Sequence, residues 1–387
     1  MIEPLFSINV GDAPGSRRRR RVSVREEETN ALWSIGAEAD IAASALVEFP
    51  SQKASVNSTN FIYGTDKNDT LNGTDGNDVI FGYKGDDTIS CLGGNDTAYG
   101  GDGNDIIKGN KGNDHLYGAD GNDRLWAGTG DDRMEGGSGD DRFIVEGSCG
   151  NDIYLGGSGS DGIDFSRVNG TSVWISIDLL TMQCSFREGT FAYWLVIEDL
   201  ENVWGTSGSD TILGNDQANE IYGRGGADIL DGRGGDDLIY GGAGLDLIAG
   251  GEGDDTVYGG EDGDRVWGGS GSDKLYGEKG DDELRGELGV DHLLGQVGND
   301  QLWGGRGEDY YYWTYGNGHD TIWEEEDGSN TFIVFYGGVA SVSKELTADG
   351  HTRYSIAGDQ GGSLLVMNSI PVIIAYQVTR NHWAALA

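Results

Sequence analysis

Apolar residues recur along most of the chain with a period of nine positions. In one stretch they are Leu71, Ile80, Ile89, Ile107, Leu116 and Leu125, and in a later one Ile212, Ile221, Leu230, Ile239, Ile248, Val257, Val266 and Leu275. With one residue on either side, each forms a predicted three-residue β-strand whose middle side chain faces inward and whose outer two face outward. Many such strands at one fixed spacing predict a stacked, all-β repeat architecture.

An acidic residue keeps the same register two positions before each apolar one. The first run comprises Asp69, Asp78, Asp87, Asp96, Asp105, Asp114, Asp123, Asp132 and Asp141, and continues after a two-residue insertion at Asp152 and Asp161. The second comprises Asp210, Asn219, Asp228, Asp237, Asp246, Asp255, Asp264, Asp273, Asp282, Asp291, Asp300 and Asp309. Only Asn219 departs from carboxylate. A merely solvated acidic face has no reason to hold such a register, so the aspartates predict ligand binding.

The repeat around each aspartate reads G-G-x-G-[ND]-D-x-U-x, where U is apolar, and it is clearest at residues 136–144 and 250–258. We number its places one to nine, so the aspartate is sixth and the core residue eighth. Glycine at the first, second and fourth places permits positive φ and a tight turn that directs carbonyl oxygens inward. Such turns are suited to binding a ligand.

On these residues the chain resembles the RTX family of haemolysin-type calcium-binding nonapeptide repeats, over residues 64–161 and 205–312. The resemblance implies a right-handed parallel β-roll in which two repeats make one turn and the strands stack in two sheets. It also implies a secreted, extracellular or cell-surface protein that leaves the cell unfolded through a type I (ABC) exporter, directed by a C-terminal signal.

The sixth-place aspartates of both runs are the predicted metal ligands, with Ca²⁺ as a cofactor in multiple copies. Calcium accepts six to eight oxygens in flexible geometry, whereas magnesium requires a strict octahedron. One buried aliphatic side chain per repeat contributes about 1.5 to 3 kcal/mol, but ordering nine residues costs about 9 to 18 kcal/mol of backbone entropy. Metal is therefore expected to supply free energy that the thin core lacks.

The charge agrees with a cation partner and excludes others. The chain has 26 Lys and Arg against 66 Asp and Glu, a net charge of −40, which repels itself when compact. This balance argues against nucleic acid and against anionic membrane surfaces. No run of about 20 apolar residues predicts a membrane span. Cys91, Cys149 and Cys184 are too few and too scattered for a disulfide framework or a thiolate metal site.

The patterns divide the chain into five segments. Residues 1–60 are expected to be a poorly ordered leader, in which the arginine run 17–21 is followed by charged residues and not by the apolar segment of a signal peptide. Residues 61–161 and 205–312 are the two RTX β-rolls. Apolar alternation at 173–179 and a second apolar strand at 191–197 predict a β-hairpin in the linker 162–204. Residues 313–387 are an array-closing segment, a β-rich flank and a C-terminal secretion signal.

Aromatic residues at the ninth place form a second, slower pattern. Tyr222, Tyr240, Tyr258 and Tyr276 lie eighteen residues apart, followed after Leu294 by Tyr312, and Phe81, Tyr99 and Tyr117 repeat the spacing in the first run. At two repeats per turn they predict an outward aromatic ladder with rings about 4.8 Å apart. Two interpretations are open: stacking that stabilises the sheet, or a stripe that docks a cell-surface glycan or protein.

Nothing in the sequence predicts a catalytic centre. The five histidines form no H-E-x-x-H motif, the chain has no G-x-S-x-G motif, and no acid and base pair stands out among 66 acidic residues. The sequence therefore predicts a secreted, non-enzymatic calcium-binding repeat protein that folds on export and acts as a structural, adhesive or interaction protein. The alternative is a calcium-dependent secreted enzyme or toxin-related protein with an unrecognised site in the flanking segments.

Overall fold

The computed structural model describes residues 59–147, 149–168, 173–314 and 318–323, together with the backbone of five later strands. This part of the chain is all β and contains no helix, so no helix in it could span a membrane. The predicted leader 1–60 lies almost wholly outside the described residues. Nearly all of the predicted secretion signal also lies outside them.

The strands of the first array follow the repeats. They are β1 (Asn60–Tyr63), β2 (Thr70–Thr74), β3 (Asp78–Lys84), β4 (Thr88–Leu92), β5 (Thr97–Asp102), β6 (Ile106–Lys111), β7 (His115–Asp120), β8 (Arg124–Thr129), β9 (Arg133–Ser138), β10 (Arg142–Ile144), β11 (Ile153–Ser158) and β12 (Gly162–Asp164). The linker contributes β13 (Val173–Asp178), β14 (Gln183–Glu188), β15 (Phe191–Glu198) and β16 (Asn202–Trp204).

The second array and the C-terminal flank supply the remaining strands. They are β17 (Thr211–Leu213), β18 (Glu220–Gly225), β19 (Ile229–Gly234), β20 (Leu238–Ala243), β21 (Leu247–Glu252), β22 (Thr256–Glu261), β23 (Arg265–Gly271), β24 (Lys274–Lys279), β25 (Glu283–Gly289), β26 (His292–Val297), β27 (Gln301–Arg306), β28 (Asp309–Thr314), β29 (His319–Trp323), β30 (Thr331–Tyr336), β31 (Val342–Leu346), β32 (Thr352–Ile356), β33 (Ser363–Met367) and β34 (Gln377–Val378). Most run for six residues, because pairing continues from the seventh place of one repeat to the third place of the next.

Successive strands of each array alternate between two sheets. Each pairs in parallel with the strand one full turn away, as in Ala98↔Leu116 and Ile239↔Val257, which are eighteen residues apart. One sheet has 15 strands and the other 19. The predicted parallel β-roll with two repeats per turn is therefore confirmed.

The core consists of eighth-place side chains, which both sheets direct into the thin space between them. Residues such as Ile107, Leu125, Ile239 and Leu275 have no exposed surface. Leu71 in the first turn is partly buried and packs against this core. Each repeat thus buries little more than one apolar side chain, as the sequence predicts.

The linker is more extensive than the predicted hairpin. The two expected strands are β13 and β15, and β14 lies between them and pairs antiparallel with both, so the three form a meander. β15 then pairs in parallel with β11, and β13 with β17. The other sheet continues through β10, β12, β16 and β18. The linker therefore separates two blocks of repeats in the sequence, but both sheets continue through it without a break.

The C-terminal flank repeats this arrangement. β33 pairs in parallel with β29, and β32 pairs antiparallel with both β33 and β31. In the other sheet β28, β30 and β34 continue the parallel stack. The flank is thus β-rich, as expected, and continues the fold of the arrays.

Candidate metal centre

The sixth-place aspartates form columns along the turns of the roll. Except at the start of each array, one carboxylate oxygen of each aspartate accepts the backbone N–H of the sixth-place residue one turn earlier. Examples are Asp87 N–H to Asp105 Oδ1 at 2.7 Å and Asp246 N–H to Asp264 Oδ1 at 2.9 Å. The side chains are almost completely buried, with 0 to 2% of their surface exposed from Asp78 to Asp161. The backbone therefore holds these carboxylates in one orientation.

The other carboxylate oxygen is buried without a hydrogen-bond partner in seventeen of these aspartates. They are Asp87, Asp96, Asp105, Asp114, Asp123, Asp132, Asp141, Asp161, Asp228, Asp237, Asp246, Asp255, Asp264, Asp273, Asp282, Asp291 and Asp300. A buried acceptor without a partner costs about 1 to 3 kcal/mol, and more when it is charged. A cation bound between the turns would satisfy such a periodic set of oxygens.

Backbone carbonyls converge on the same oxygens. A Cβ atom built on Gly223, at the first place, would lie 2.5 Å from Asp228 Oδ2 and 2.6 Å from the carbonyl oxygen of Gly241, one turn later. One built on Gly259 would lie 2.6 Å from Asp264 Oδ2 and 2.9 Å from the Gly277 oxygen. Glycine at these first places therefore leaves room for a carboxylate oxygen and a carbonyl oxygen to meet where a side chain would begin. Cys91 and Ala127 occupy the first place in two other loops.

This donor set fits calcium. Calcium takes carboxylate and carbonyl oxygens together in flexible numbers. Among the described residues no three His, Cys, Asp or Glu side chains gather as a metal cluster, so an ion here takes most of its oxygens from the backbone. The residues that would hold it are the sixth-place aspartates with an unpartnered Oδ2 and the first-place carbonyls one turn later.

Burial also raises the pKa of these carboxyls. Desolvation is the largest cause, opposed by the N–H from the preceding turn and increased by neighbouring carboxylates. It brings the pKa to about 7 for Asp114 and Asp123, and to about 8 for Asp255 and Asp264. The ionised columns are thus unfavourable by themselves at neutral pH, and a cation between the turns would reverse that effect.

Four of the predicted ligands differ from the rest, because their second oxygen has a partner. Asp69, Asp78 and Asp210 accept the backbone N–H of Thr65, Thr74 and Thr206 at 2.6, 2.6 and 2.7 Å. Asp152 Oδ2 accepts the Tyr154 hydroxyl at 3.0 Å. The sequence pattern alone did not separate these four from the others.

Two acidic residues outside the predicted set extend the columns. Asp320 Oδ1 accepts the Asp300 N–H at 3.1 Å, and Glu201 Oε2 accepts the Asp161 N–H at 2.8 Å. Asp320 stands eleven residues after Asp309, which is the spacing from Asp141 to Asp152. That repeated two-residue insertion was the sequence signal that could have predicted Asp320. Glu201 follows the long linker and is outside the nine-residue register, so no signal in the sequence marks it.

The aromatic residues form two ladders and not one. Tyr222, Tyr240, Tyr258 and Tyr276 stack with centroids 4.7, 4.8 and 4.6 Å apart on the 15-stranded sheet, which confirms the predicted spacing. Phe81, Tyr99 and Tyr117 stack at 5.1 and 4.8 Å on the 19-stranded sheet. The ladders lie on different sheets because the rings stand on β3, β5 and β7 in the first array but on β18, β20, β22 and β24 in the second.

Comparison with known proteins gives one family. A family model described as the RTX calcium-binding nonapeptide repeat (4 copies) matches residues 63–98, 92–125, 117–147, 126–163, 204–239, 231–266, 258–293 and 285–322, more than half of the chain. No curated protein matches the chain. Among solved structures, it is similar to the extracellular lipase LipA from Serratia marcescens, with 16% identity and a TM-score of 0.21 over 71% of this chain and 38% of that chain. The chain therefore spans well under half the length of that lipase.

Proposed function

Since the chain belongs to the RTX calcium-binding nonapeptide repeat family, we propose that it is a secreted protein that folds when Ca²⁺ fills the loops of its β-roll. Its role is that of a non-catalytic extracellular structural, adhesive or interaction protein. The observation that carries the proposal is the set of seventeen buried, unpartnered aspartate oxygens in register with backbone carbonyls.

The mechanism follows from linkage. A ligand that binds only the folded state adds its binding free energy to the stability of that state. In a cytosol with little calcium, the aspartate columns repel one another and their buried oxygens lack partners, which favours the unfolded chain. Outside the cell, at roughly millimolar calcium, sites with dissociation constants of about 10⁻⁴ to 10⁻³ M would fill and the turns would stack. Folding after export follows directly.

Calcium removal tests the folding step. We expect the far-UV circular dichroism of the full chain to lose its β signal in EGTA and to regain it on addition of Ca²⁺. Mg²⁺ at the same concentration should restore much less, because it requires an octahedral site. An unchanged β signal in EGTA, or a compact protein without divalent ions in native mass spectrometry, contradicts the proposal.

Export and role need separate tests. Expression of the full chain with and without a type I exporter, followed by assay of the medium, tests secretion by that route. Binding to whole cells or to extracellular polysaccharide in the presence of calcium supports an adhesive or interaction role. Turnover of alginate, glycosides or esters by the purified, calcium-loaded protein would instead show that it is an enzyme.

A further inference from the structure

The second place of the repeat has two conformations. In most loops it has positive φ, and glycine is not required there: nine such residues are not glycine, namely Tyr83, Leu92, Asn110, Ala119, Arg224, Arg233, Glu278, Glu287 and Gln296. A left-handed backbone at a residue other than glycine costs about 1 kcal/mol or more. The loop therefore requires this conformation in most repeats, whatever residue stands there.

Among the loops whose second place the structure describes, four depart from it. Thr65, Thr74, Thr206 and Asn215 occupy the second place and are not among the residues with positive φ. Their backbone N–H groups point at the sixth-place side chain of the same loop, as in Thr74 N–H to Asp78 Oδ2 at 2.6 Å and Asn215 N–H to Asn219 Oδ1 at 2.9 Å. The threonine hydroxyls add a second bond, at 2.8 Å to Asp69 and 3.0 Å to Asp78.

The residue type explains the difference. A β-branched side chain is a strong outlier in the left-handed region. None of the nine residues with positive φ at the second place is β-branched, whereas three of the four exceptions are threonine. Threonine therefore keeps the ordinary backbone and turns its N–H towards the carboxylate. In these three loops the threonine N–H donates to the aspartate Oδ2, the oxygen that has no hydrogen-bond donor in most other loops.

The four exceptions also occupy equivalent places in the fold. Two loops make one turn, and the exceptions are the first two loops of the first array and the first two of the second. The one sixth place without a carboxylate, Asn219, belongs to this set. An amide suffices there, because its oxygen accepts the Asn215 N–H and no charge is needed for a metal.

We propose that the first turn of each array is a calcium-free cap closed by hydrogen bonds, and that the residue at the second place decides whether a loop takes metal. This inference rests on the proposed calcium binding of the remaining loops. Asp69, Asp78 and Asp210 then belong to the caps and not to the metal columns.

A metal-free turn gives each array a starting surface. Its carboxylates are satisfied without a cation, so metal-dependent turns can add to a turn that is already closed, and a stacked array grows from neighbour to neighbour. The second cap is anchored on the linker: Asp210 Oδ1 accepts the Ile175 N–H at 2.9 Å, and Asn215 Nδ2 donates to the Leu200 carbonyl at 3.1 Å. The second array thus has a template of its own.

A matched pair of substitutions in the full chain tests the cap. Asp210→Asn copies the natural Asn219 and should leave calcium stoichiometry and the calcium midpoint of folding unchanged. Asp246→Asn makes the same chemical change in a loop whose Oδ2 lacks a partner, and should lose about one calcium ion in native mass spectrometry and raise the midpoint. Equal behaviour of the two variants, in either direction, overturns the distinction.

Thr206 tests the switch itself. Thr206→Gly lets the second place adopt positive φ and removes the hydroxyl donor, so the full chain should bind about one more ion. Thr206→Val keeps the β-branch and the N–H bond and should not gain one. No gain with glycine, or an equal gain with valine, overturns the role of this position. If the unaltered protein binds no calcium, the proposed function has failed and not only the cap.

Discussion

Replacing Gly223 by alanine would place a methyl group where two metal-facing oxygens meet. The new Cβ would lie 2.5 Å from Asp228 Oδ2 and 2.6 Å from the Gly241 carbonyl oxygen, about 1 Å inside ordinary van der Waals contact. Gly223 is not a residue with positive φ, so alanine introduces no backbone strain there. The effect therefore reports on the oxygen pair alone.

Overpacking of this kind costs about 1 to 3 kcal/mol, and displacing the two oxygens also weakens the site they would form. We expect a loss of about 3 kcal/mol, which lowers the melting temperature in saturating calcium by about 4 °C for a chain of 387 residues. Native mass spectrometry should show about one calcium ion fewer.

Gly225, two residues along the same repeat, is the control. A Cβ there meets nothing closer than the Ala243 oxygen at 3.7 Å, and this glycine also lacks positive φ. Gly225→Ala should stabilise the protein by about 0.4 to 1 kcal/mol, because alanine restricts the unfolded chain. The two variants should therefore shift melting in opposite directions when followed by calorimetry. Equal shifts would refute the convergence of ligand oxygens at the first place.

Three further outcomes follow from the structure. In EGTA, the calcium-free fold should be most stable below pH 4 and lose stability as the pH rises towards 8, because burial raises the folded-state pKa of Asp255 to about 8. Circular dichroism followed against pH measures this, and greater stability at pH 8 than at pH 4 contradicts it. Tyr258→Ser removes ring stacking at 4.8 and 4.6 Å and should lower the free energy of unfolding by about 1 to 2 kcal/mol with unchanged calcium stoichiometry. Loss of binding to cells with an unchanged melting temperature would instead favour a docking role for the ladder. Arg233→Leu breaks the bidentate contact to Asp178 at 2.7 and 2.9 Å and should lower the free energy of unfolding by about 1 kcal/mol, measured by calorimetry. Arg224→Leu changes an exposed arginine at the same place of the preceding repeat and should cost less.

The sequence alone determined the parts of this protein that depend on neighbouring repeats. A residue and its partner eighteen positions away carry the same place in the motif, so Ile239 and Val257 pair because the period sets their register. The file of core residues, the aspartate columns and the ring spacing of the tyrosine ladder all follow from that period. The calcium preference likewise follows from the oxygen-rich motif.

The tertiary structure decided whatever breaks the period. The linker strand β14 has only Cys184 and Phe186 as apolar residues, and its pairing with both β13 and β15 appears only in the folded chain. The pairing of Tyr154 with Ile197 also lies outside the repeat period. The sheet on which each ladder lies depends on how that linker resumes the stack. The backbone conformation of Thr74 and Thr206 could not be predicted from the sequence, where a threonine at the second place looks like any other substitution. Only the folded loop shows that its N–H donates to the sixth-place carboxylate. Local repetition fixes register, but long-range pairing and the direction of single donors exist only in the folded chain.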